Sequence, residues 1–513
     1  MLSRRCTLRH SLVRAVRIVR FGAYSTIAVS VTLAGCANWS GIAPQLSELD
    51  AGQLATGESM KVAVALAGKD AHWPDRQWWT VFADPQLDGL VEAAVNDNPT
   101  QAIAAARLRE ALAVAGQAKA ATLPTLDALG SLNRRHWPES GYYNGGLFSG
   151  QNTFDNSALL SFDYPLDIFG GRRNAAESAL DAAHVAAADQ RSAELNLAGN
   201  VVRSYIQLSL QYMLLDVAQE NLRDQQHTLQ LANQRFNAGF GTKLEISQAE
   251  SPLPQSLLTI EQIQEAIAIE KNELAALTGR GPGAGDDIAI PHLTFSVSVV
   301  LPSALPAELI GHRPDIVARR WDVEAQARSI DSAKAAFYPN IDIKSSVGGA
   351  AVGAVFSTFL RMSSVEFTGG PAISLPIFEG GRLRASLAGA SARYDIAVAG
   401  YNDAILQALN QIANQVVSFQ SLEKQEVLAK RSVATAQQNY DLAENQFKRG
   451  LTDYVNVLSA NDLLLTQQQG LRRVTANRFV AYTNLMVALG GGASLPTDSP
   501  KVKPPSIVLR TAP

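Results

Sequence analysis

His10, His72, His136, His184, His227, His292 and His312 are the only imidazoles in a chain of 513 residues. A zinc hydrolase needs a second ligand at helical spacing from the first, and none of the seven has one. "GRGPGAG", Gly279 to Gly285, has the glycines of a phosphate-binding loop. It lacks the Lys-Ser/Thr ending that would grip phosphate and magnesium, and suits a linker between units. Asp286-Asp287 suits a solvated turn. Trp78-Trp79 offers rings for sugar stacking, and equally for packing. Arg313-Pro314-Asp315 is compact and charged, yet proline fits a first helical turn and an acid fits the positive end of the helix dipole. Nothing assembles a nucleophile, a base and an orienting group, so an enzyme is the least supported class.

The two thiols, Cys6 and Cys36, pose a different chemistry. The segment before Cys36 carries Arg4, Arg5, Arg9, Arg14, Arg17 and Arg20, with no acidic residue, and then an apolar run from Phe21 to Ala34. A basic start, a short apolar centre and small residues at the end make a secretory signal over 1–35. Leu33-Ala34-Gly35-Cys36 resembles the bacterial lipoprotein box, which implies cleavage before Cys36 and acylation of its sulfur and amino group; an ordinary signal with an incidental cysteine is the alternative. Ala37 rather than Asp at the next position implies sorting to the outer membrane. Cys6 leaves with the leader, so no internal disulfide and no cysteine metal site is expected.

The net charge is −3, and loss of the six leader arginines leaves −9. Phosphate binding needs a basic surface, so nucleic acid is not expected as a partner. No cofactor is expected beyond the covalent lipid on Cys36. No stretch after Cys36 is long and apolar enough for a spanning helix. A chain of this kind crosses a membrane only as strands closed into a barrel.

Three blocks recur in order. "NPTQAIAAARLREALAVAGQAKAATLPTLDALGS" from Asn98 matches "RPDIVARRWDVEAQARSIDSAKAAFYPNIDIKSS" from Arg313. "LDIFGGRRNAAESALDAA" from Leu166 matches "LPIFEGGRLRASLAGASA" from Leu375. "NQRFNAGFGTKLEISQAE" from Asn233 matches "NQFKRGLTDYVNVLSAND" from Asn445. The chain is therefore a duplication of one unit.

Each unit predicts the same elements. The first, 85–280, has a helix from Pro85 to Thr122, strands about 125–135 and 153–165, a long helix 172–237 and a helix 243–279. A linker covers 281–304. The second, 305–491, has a helix from Leu305 to Phe337, strands about 340–349 and 366–377, a long helix 382–448 and a helix 453–489. An extension, 36–84, precedes them and a tail, 492–513, follows. Gly171 and Gly381 mark the turns into the long helices, and Gly239 and Gly450 the turns out of them. Pro252 and Pro254 fall within the 243–279 helix and should bend or interrupt it.

The strands alternate: Leu160, Phe162 and Tyr164 against Ser161 and Asp163, and Ile341, Ile343 and Val347 against Asp342, Lys344 and Ser346. One apolar and one polar face suits lipid outside and water inside. A half-buried hairpin in a soluble sheet has the same pattern. Arg172 to Phe236 predicts a helix of ~97 Å at 1.5 Å per residue, longer than any globular domain of this mass requires. Its stripe of small residues, Ala175, Ala179, Ala182 and Ala186, permits close helix neighbours.

"LPSALPAELIGHRPDIVARRWDVEAQARSIDSAKAAFYPNIDI" from Leu301, "WWTVFADPQLDGLVEAAVNDNPT" from Trp78 and "LPIFEGGRLRA" from Leu375 resemble the TolC-like outer-membrane factors of the NodT type. The resemblance spans Cys36 to about Gly491. It implies a mainly α fold with membrane β: a homotrimer whose protomers each give four strands to one twelve-stranded outer-membrane barrel, continuous with a periplasmic α-helical barrel. Four strands are too few to close alone, which agrees. The implied function is a passive export conduit for drugs or small, aromatic compounds, served by a periplasmic adaptor and an inner-membrane pump of the resistance-nodulation-division or major-facilitator class. A periplasmic coiled-coil lipoprotein that scaffolds the envelope without a pore is the second reading.

The resemblance also implies acidic side chains lining a constriction near the periplasmic tip. In "YNDAILQALNQIANQ" from Tyr401, Gln411 stands where Glu is common and Asn414 where Asp is common. A weaker cation-attracting ring follows, with Asp403 as another source of charge, unless Asn414 only faces a neighbouring helix. Asn200 and Arg203 take related positions in the first long helix.

Overall fold

The structure is a computed structural model that describes residues 39–50, 54, 73–139, 146–295 and 311–492. The signal segment, Cys36, residues 296–310 of the linker and second unit, and the tail from 493 lie outside the described residues.

The first repeat runs α1 (Pro85–Asp97), α2 (Pro99–Ala120), β1 (Thr125–His136), β2 (Asn152–Leu166), α3 (Gly171–Asn237), α4 (Lys243–Glu250) and α5 (Leu253–Leu277). The second runs α6 (Pro314–Ala335), β3 (Asn340–Gly353), β4 (Val365–Ser374), α7 (Arg382–Lys448) and α8 (Tyr454–Ala488). Each of α3 and α7 has 67 residues, about 100 Å at 1.5 Å per residue.

Six boundaries differ from the sequence expectation, each for a local reason; the first is that β3 runs past the expected 349 to Gly353, because Ala350 to Gly353 still pair with β2. The helix expected from Pro85 to Thr122 is two helices. Asn98 precedes a proline, which disfavours the helical region; it is extended, and its side-chain oxygen accepts from the Thr100 N–H. The helix expected from Leu305 to Phe337 has its counterpart break at Arg313, extended before Pro314, so α6 begins there. The helix expected over 243–279 divides at Ser251 and Pro252 into α4 and α5, because Pro252 and Pro254 remove two helical N–H donors. The strand expected to reach 377 stops at Ser374, just before the donorless Pro376. The left-handed residue before α3 is Gly170, at φ 75°, not Gly171; Gly171 instead sits where a Cβ would come 3.1 Å from that of Ala335. Gly381 is left-handed, at φ 87°.

The first part of the expected linker is packed. The Thr294 N–H donates to the Phe82 carbonyl, and Phe295 meets Phe82, Phe479 and Tyr482 with ring centroids 4.9–5.7 Å apart. Trp78 is 4% exposed in the same core.

The four strands form one antiparallel sheet in the order β1-β2-β3-β4. The helices follow the same lateral order. Near the sheet, α2, α3, α6 and α7 lie side by side; farther away, α5 takes the place of α2 and α8 that of α6. Two stacked shorter helices thus flank each long one. At the far end both long helices close the same way: the Phe240 N–H donates to Arg235 O and the Leu451 N–H to Gln446 O, across Gly239 at φ 82° and Gly450 at φ 73°. A six-to-one bond around a left-handed glycine satisfies the last carbonyls of a helix.

Candidate conduit and its walls

The register sorts the sheet into two faces. Ala128, Leu160, Val347 and Phe367 lie in one row across all four strands. The adjacent row is Asp127, Ser161, Ser346 and Thr368. The first row belongs to an exposed apolar face with Leu126, Leu132, Val365 and Ile373. The second carries a Lys344–Asp163 ion pair at 3.2 Å. An apolar surface of this extent has no stable partner in water, and a membrane supplies one.

Among the described residues neither β1 nor β4 has a neighbour on its outer side. A lipid-facing edge with unpaired backbone groups is untenable, so both edges need another chain. The outer helices present the same demand. Ile396, Leu406, Val417 and Val427 on α7 are exposed, as are Ile103 and Leu112 on α2 and Leu257 and Ile269 on α5. The repeat supplies the pattern for filling them. Within the chain α3 packs on α6 and α8; the equivalent surface of α7 is the exposed one.

Where the shorter helices meet end to end, the two repeats share a junction. The Asn98 side-chain amide donates to the Leu277 carbonyl at 2.8 Å, and Arg313 Nη1 donates to the equivalent Ala488 carbonyl at 3.0 Å. Gly279 and Gly490 follow these carbonyls, both with positive φ. A Cβ on Gly279 would stand 2.5 Å from the Asp97 carbonyl oxygen, and one on Gly490 under 3.0 Å from that of His312.

The six candidate constriction residues lie at this level, and the tip position implied for them is corrected. Tyr401 to Asn414 occupy the middle of α7, which continues to Lys448, so Asn414 is ~50 Å of helix rise short of the tip glycine. Tyr401 is 3% exposed and packs in the hydrophobic core; burial raises its pKa, as does Glu48. Asp403 is exposed and accepts from Gln407 at 2.7 Å. Gln411 accepts from Arg313 Nη1 at 3.1 Å. Asn414 is exposed. Arg203 donates to Asn200 at 2.6 Å and to Asn484 at 2.9 Å; partial burial lowers its pKa. The sequence reading assigned Arg313 only a helix-start role. Its equivalence to Asn98 across the repeat was the signal that it also ties α6 to α8.

A strap runs down the outside of α7. Backbone N–H groups of Gln45 and Leu46 donate to Asp395, and that of Leu49 to Asn402. Trp39, where the described strap begins, packs on Phe337 and Tyr338 at 5.5 and 5.8 Å, and Tyr338 stacks on Phe169 at 4.6 Å. Ile377 and Phe378 are exposed beside this helix-to-strand transition. Beneath, between α3 and α6, burial pushes the Asp181 carboxyl up to about 6 against the pull of Arg328.

The tip is pinned by Arg235. Its guanidinium lies 4.7 Å from the Phe447 ring centroid and donates to the Phe447 carbonyl at 2.7 Å. Phe240 and Leu451 beside the tip glycines are 79% and 72% exposed. Among the described residues no group of acidic, His or Cys side chains is placed to hold a metal, and no helix is long and apolar enough to cross a membrane.

The outer membrane efflux protein family matches residues 90–280 and 305–491, one match on each repeat. Fusaric acid resistance protein FusA of Burkholderia cepacia is 48% identical over 72% of this chain and 69% of its own length. Pyoverdine export outer membrane protein OpmQ of Pseudomonas aeruginosa is 30% identical over 86% of this chain and 92% of its own. Among solved structures, the Vibrio cholerae outer membrane protein VceC superposes with a TM-score of 0.76 at 33% identity, over 82% of this chain and all of that one.

Proposed function

From the membership of this chain in the outer membrane efflux protein family, as the outer-membrane channel of a tripartite export system, we propose that three copies close it into a ring and that it exports small aromatic acids or drugs. The observation that carries the ring is the doubly open edge. β4 and α7 end the chain on one side, β1 and α2 on the other, in the same lateral order. A heterologous contact of this kind closes when the rotation per copy divides the circle. Three copies give twelve strands, a barrel wide enough for a water-filled lumen.

The substrate class rests on the relation to FusA, whose name specifies fusaric acid. The energy comes from an inner-membrane pump of the resistance-nodulation-division or major-facilitator class. A periplasmic adaptor joins that pump to the tip, where Phe240 and Leu451 offer exposed apolar contact. The leader and the motif at Cys36 support export and acylation. Trp39, three residues on, sits with Phe337, Tyr338 and Phe169 at the level where helix gives way to strand. Rings at that level suit a lipid headgroup boundary, so the acyl chains enter the periplasm-facing leaflet beside the barrel.

Purified trimer in a planar bilayer tests the reading: discrete, ohmic conductance steps are expected, and their absence would favour the scaffold. Cys36→Ser should abolish metabolic labelling with palmitate, and label retained on that variant would refute the anchor.

A further inference from the structure

A cavity of ≈ 380 Å³ opens where α3, α6, α7 and α8 meet at mid-height. Its wall includes Asn196, Arg313, Asp315, Gln411, Gln415 and Asn484. The strap fixes which way it looks. Strap bonds fall on Asp395 and Asn402, and at 100° per residue Gln411 lies roughly 160° around α7 from Asp395. With Cys36 acylated, as proposed above, the strap begins at a lipid-bearing terminus and so runs outside the tube. The cavity therefore faces the lumen.

Two arginines set the polarity of its wall. Arg203 donates to the Asn484 carbonyl oxygen and Arg313 to that of Gln411. With both oxygens engaged, the two amide NH2 groups, which no described residue accepts, remain as the donors of the wall. A guanidinium on the oxygen of an amide polarises its N–H bonds and strengthens them as donors. Arg313 is 8% exposed and holds Asp315 through two bonds, at 3.0 and 2.6 Å. That pair is neutral; Arg203, whose partners are the amides of Asn484 and Asn200, stands behind the wall and brings a positive charge close to it. Leu195, Pro314 and Val487 complete the wall with apolar surface. The volume suits a single-ring molecule.

We propose that this niche is a way-station for small aromatic carboxylates inside the tunnel: the ring lies on Leu195 and Val487, and the carboxylate accepts from the Asn484 and Gln411 amides. The proposal rests on the export reading above and adds the recognition chemistry. It assigns one niche per chain. The first repeat has Asn98 where the second has Arg313, and so lacks the cation that orients the facing amide.

Benzoate is the probe, with benzyl alcohol as its uncharged counterpart. Benzoate should reduce single-channel conductance of the trimer saturably, with half-effect at least fivefold below that of benzyl alcohol. Asn484→Leu and Arg203→Gln should each raise the half-effect concentration at least fivefold. Gln438→Leu, exposed on α7 about 40 Å farther along the helix, should leave it unchanged. Equal effects of benzoate and benzyl alcohol, or no shift in the two niche variants, would overturn the proposal. Absence of any conductance would overturn the channel reading instead. Saturation-transfer NMR of benzoate on the detergent-solubilised trimer then tests the niche alone, and no transfer there refutes it.

Discussion

Gly490→Ala should cost the protein its assembled form. The residue has φ 92°, where a side chain costs about 1–2 kcal/mol in backbone energy. The added methyl would also stand under 3.0 Å from the His312 carbonyl oxygen, a backbone atom that cannot swing aside. Relief requires separating the end of α8 from the break before α6, which pulls Arg313 from the Ala488 carbonyl and leaves a buried guanidinium short of an acceptor, about 1–3 kcal/mol more. Three copies multiply the effect. The expected result is loss of the heat-resistant trimer on a semi-native gel and of channel activity. Gly279→Ala strikes the equivalent junction, and the double variant should not assemble. Gly89→Ala, on α1, has open space around its Cβ and should retain the trimer. Normal assembly of Gly490→Ala would mean the junction is not as tight as its geometry requires.

Phe367→Lys should block insertion, whereas Thr368→Lys should not. The two are neighbours on β4, and the pleat sends them to opposite faces. Phe367 is 73% exposed in the apolar row with Val347 and Leu160, close to the middle of the sheet. A lysine facing lipid there costs ~2–4 kcal/mol per chain, three times over in the ring. Thr368 shares the polar face with Ser346 and would hold its ammonium in water. Membrane fractionation with protease protection reads the difference. Equal insertion of both variants would reverse the assignment of the faces, and failure of both would point to the edge rather than the face.

The parts that were legible are those written as periodicity. Alternation with period two set out β1 to β4 within a few residues at each end. The repeat placed the two long helices and the turning glycines Gly239 and Gly450, because a helix of this length has few local ways to stop. Junctions were less legible. Pro99 and Pro314 each suit a helix start, and a single helix was nonetheless expected across each; the extended Asn98 and Arg313, tied to Leu277 and Ala488 far along the chain, make the breaks. Gln411 and Asn414 were placed at the wrong height because the resemblance supplied their position, whereas the helix bounds 382–448 already set Asn414 near the middle. The niche was invisible, since Arg203, Arg313, Gln411 and Asn484 are scattered over most of the chain. The strap was invisible too, having neither helical nor strand period.

The fused repeat has a kinetic consequence. In the ring proposed for three chains, six similar units have six seams, and three of them are closed within single chains by α3 against α6 and α8. Tethering makes those three insensitive to dilution. Only the other three must find their partners by diffusion, as a function of how much protein reaches the membrane. Six separate units would need six encounters; two units in one chain halve that number and allow the two kinds of seam to differ.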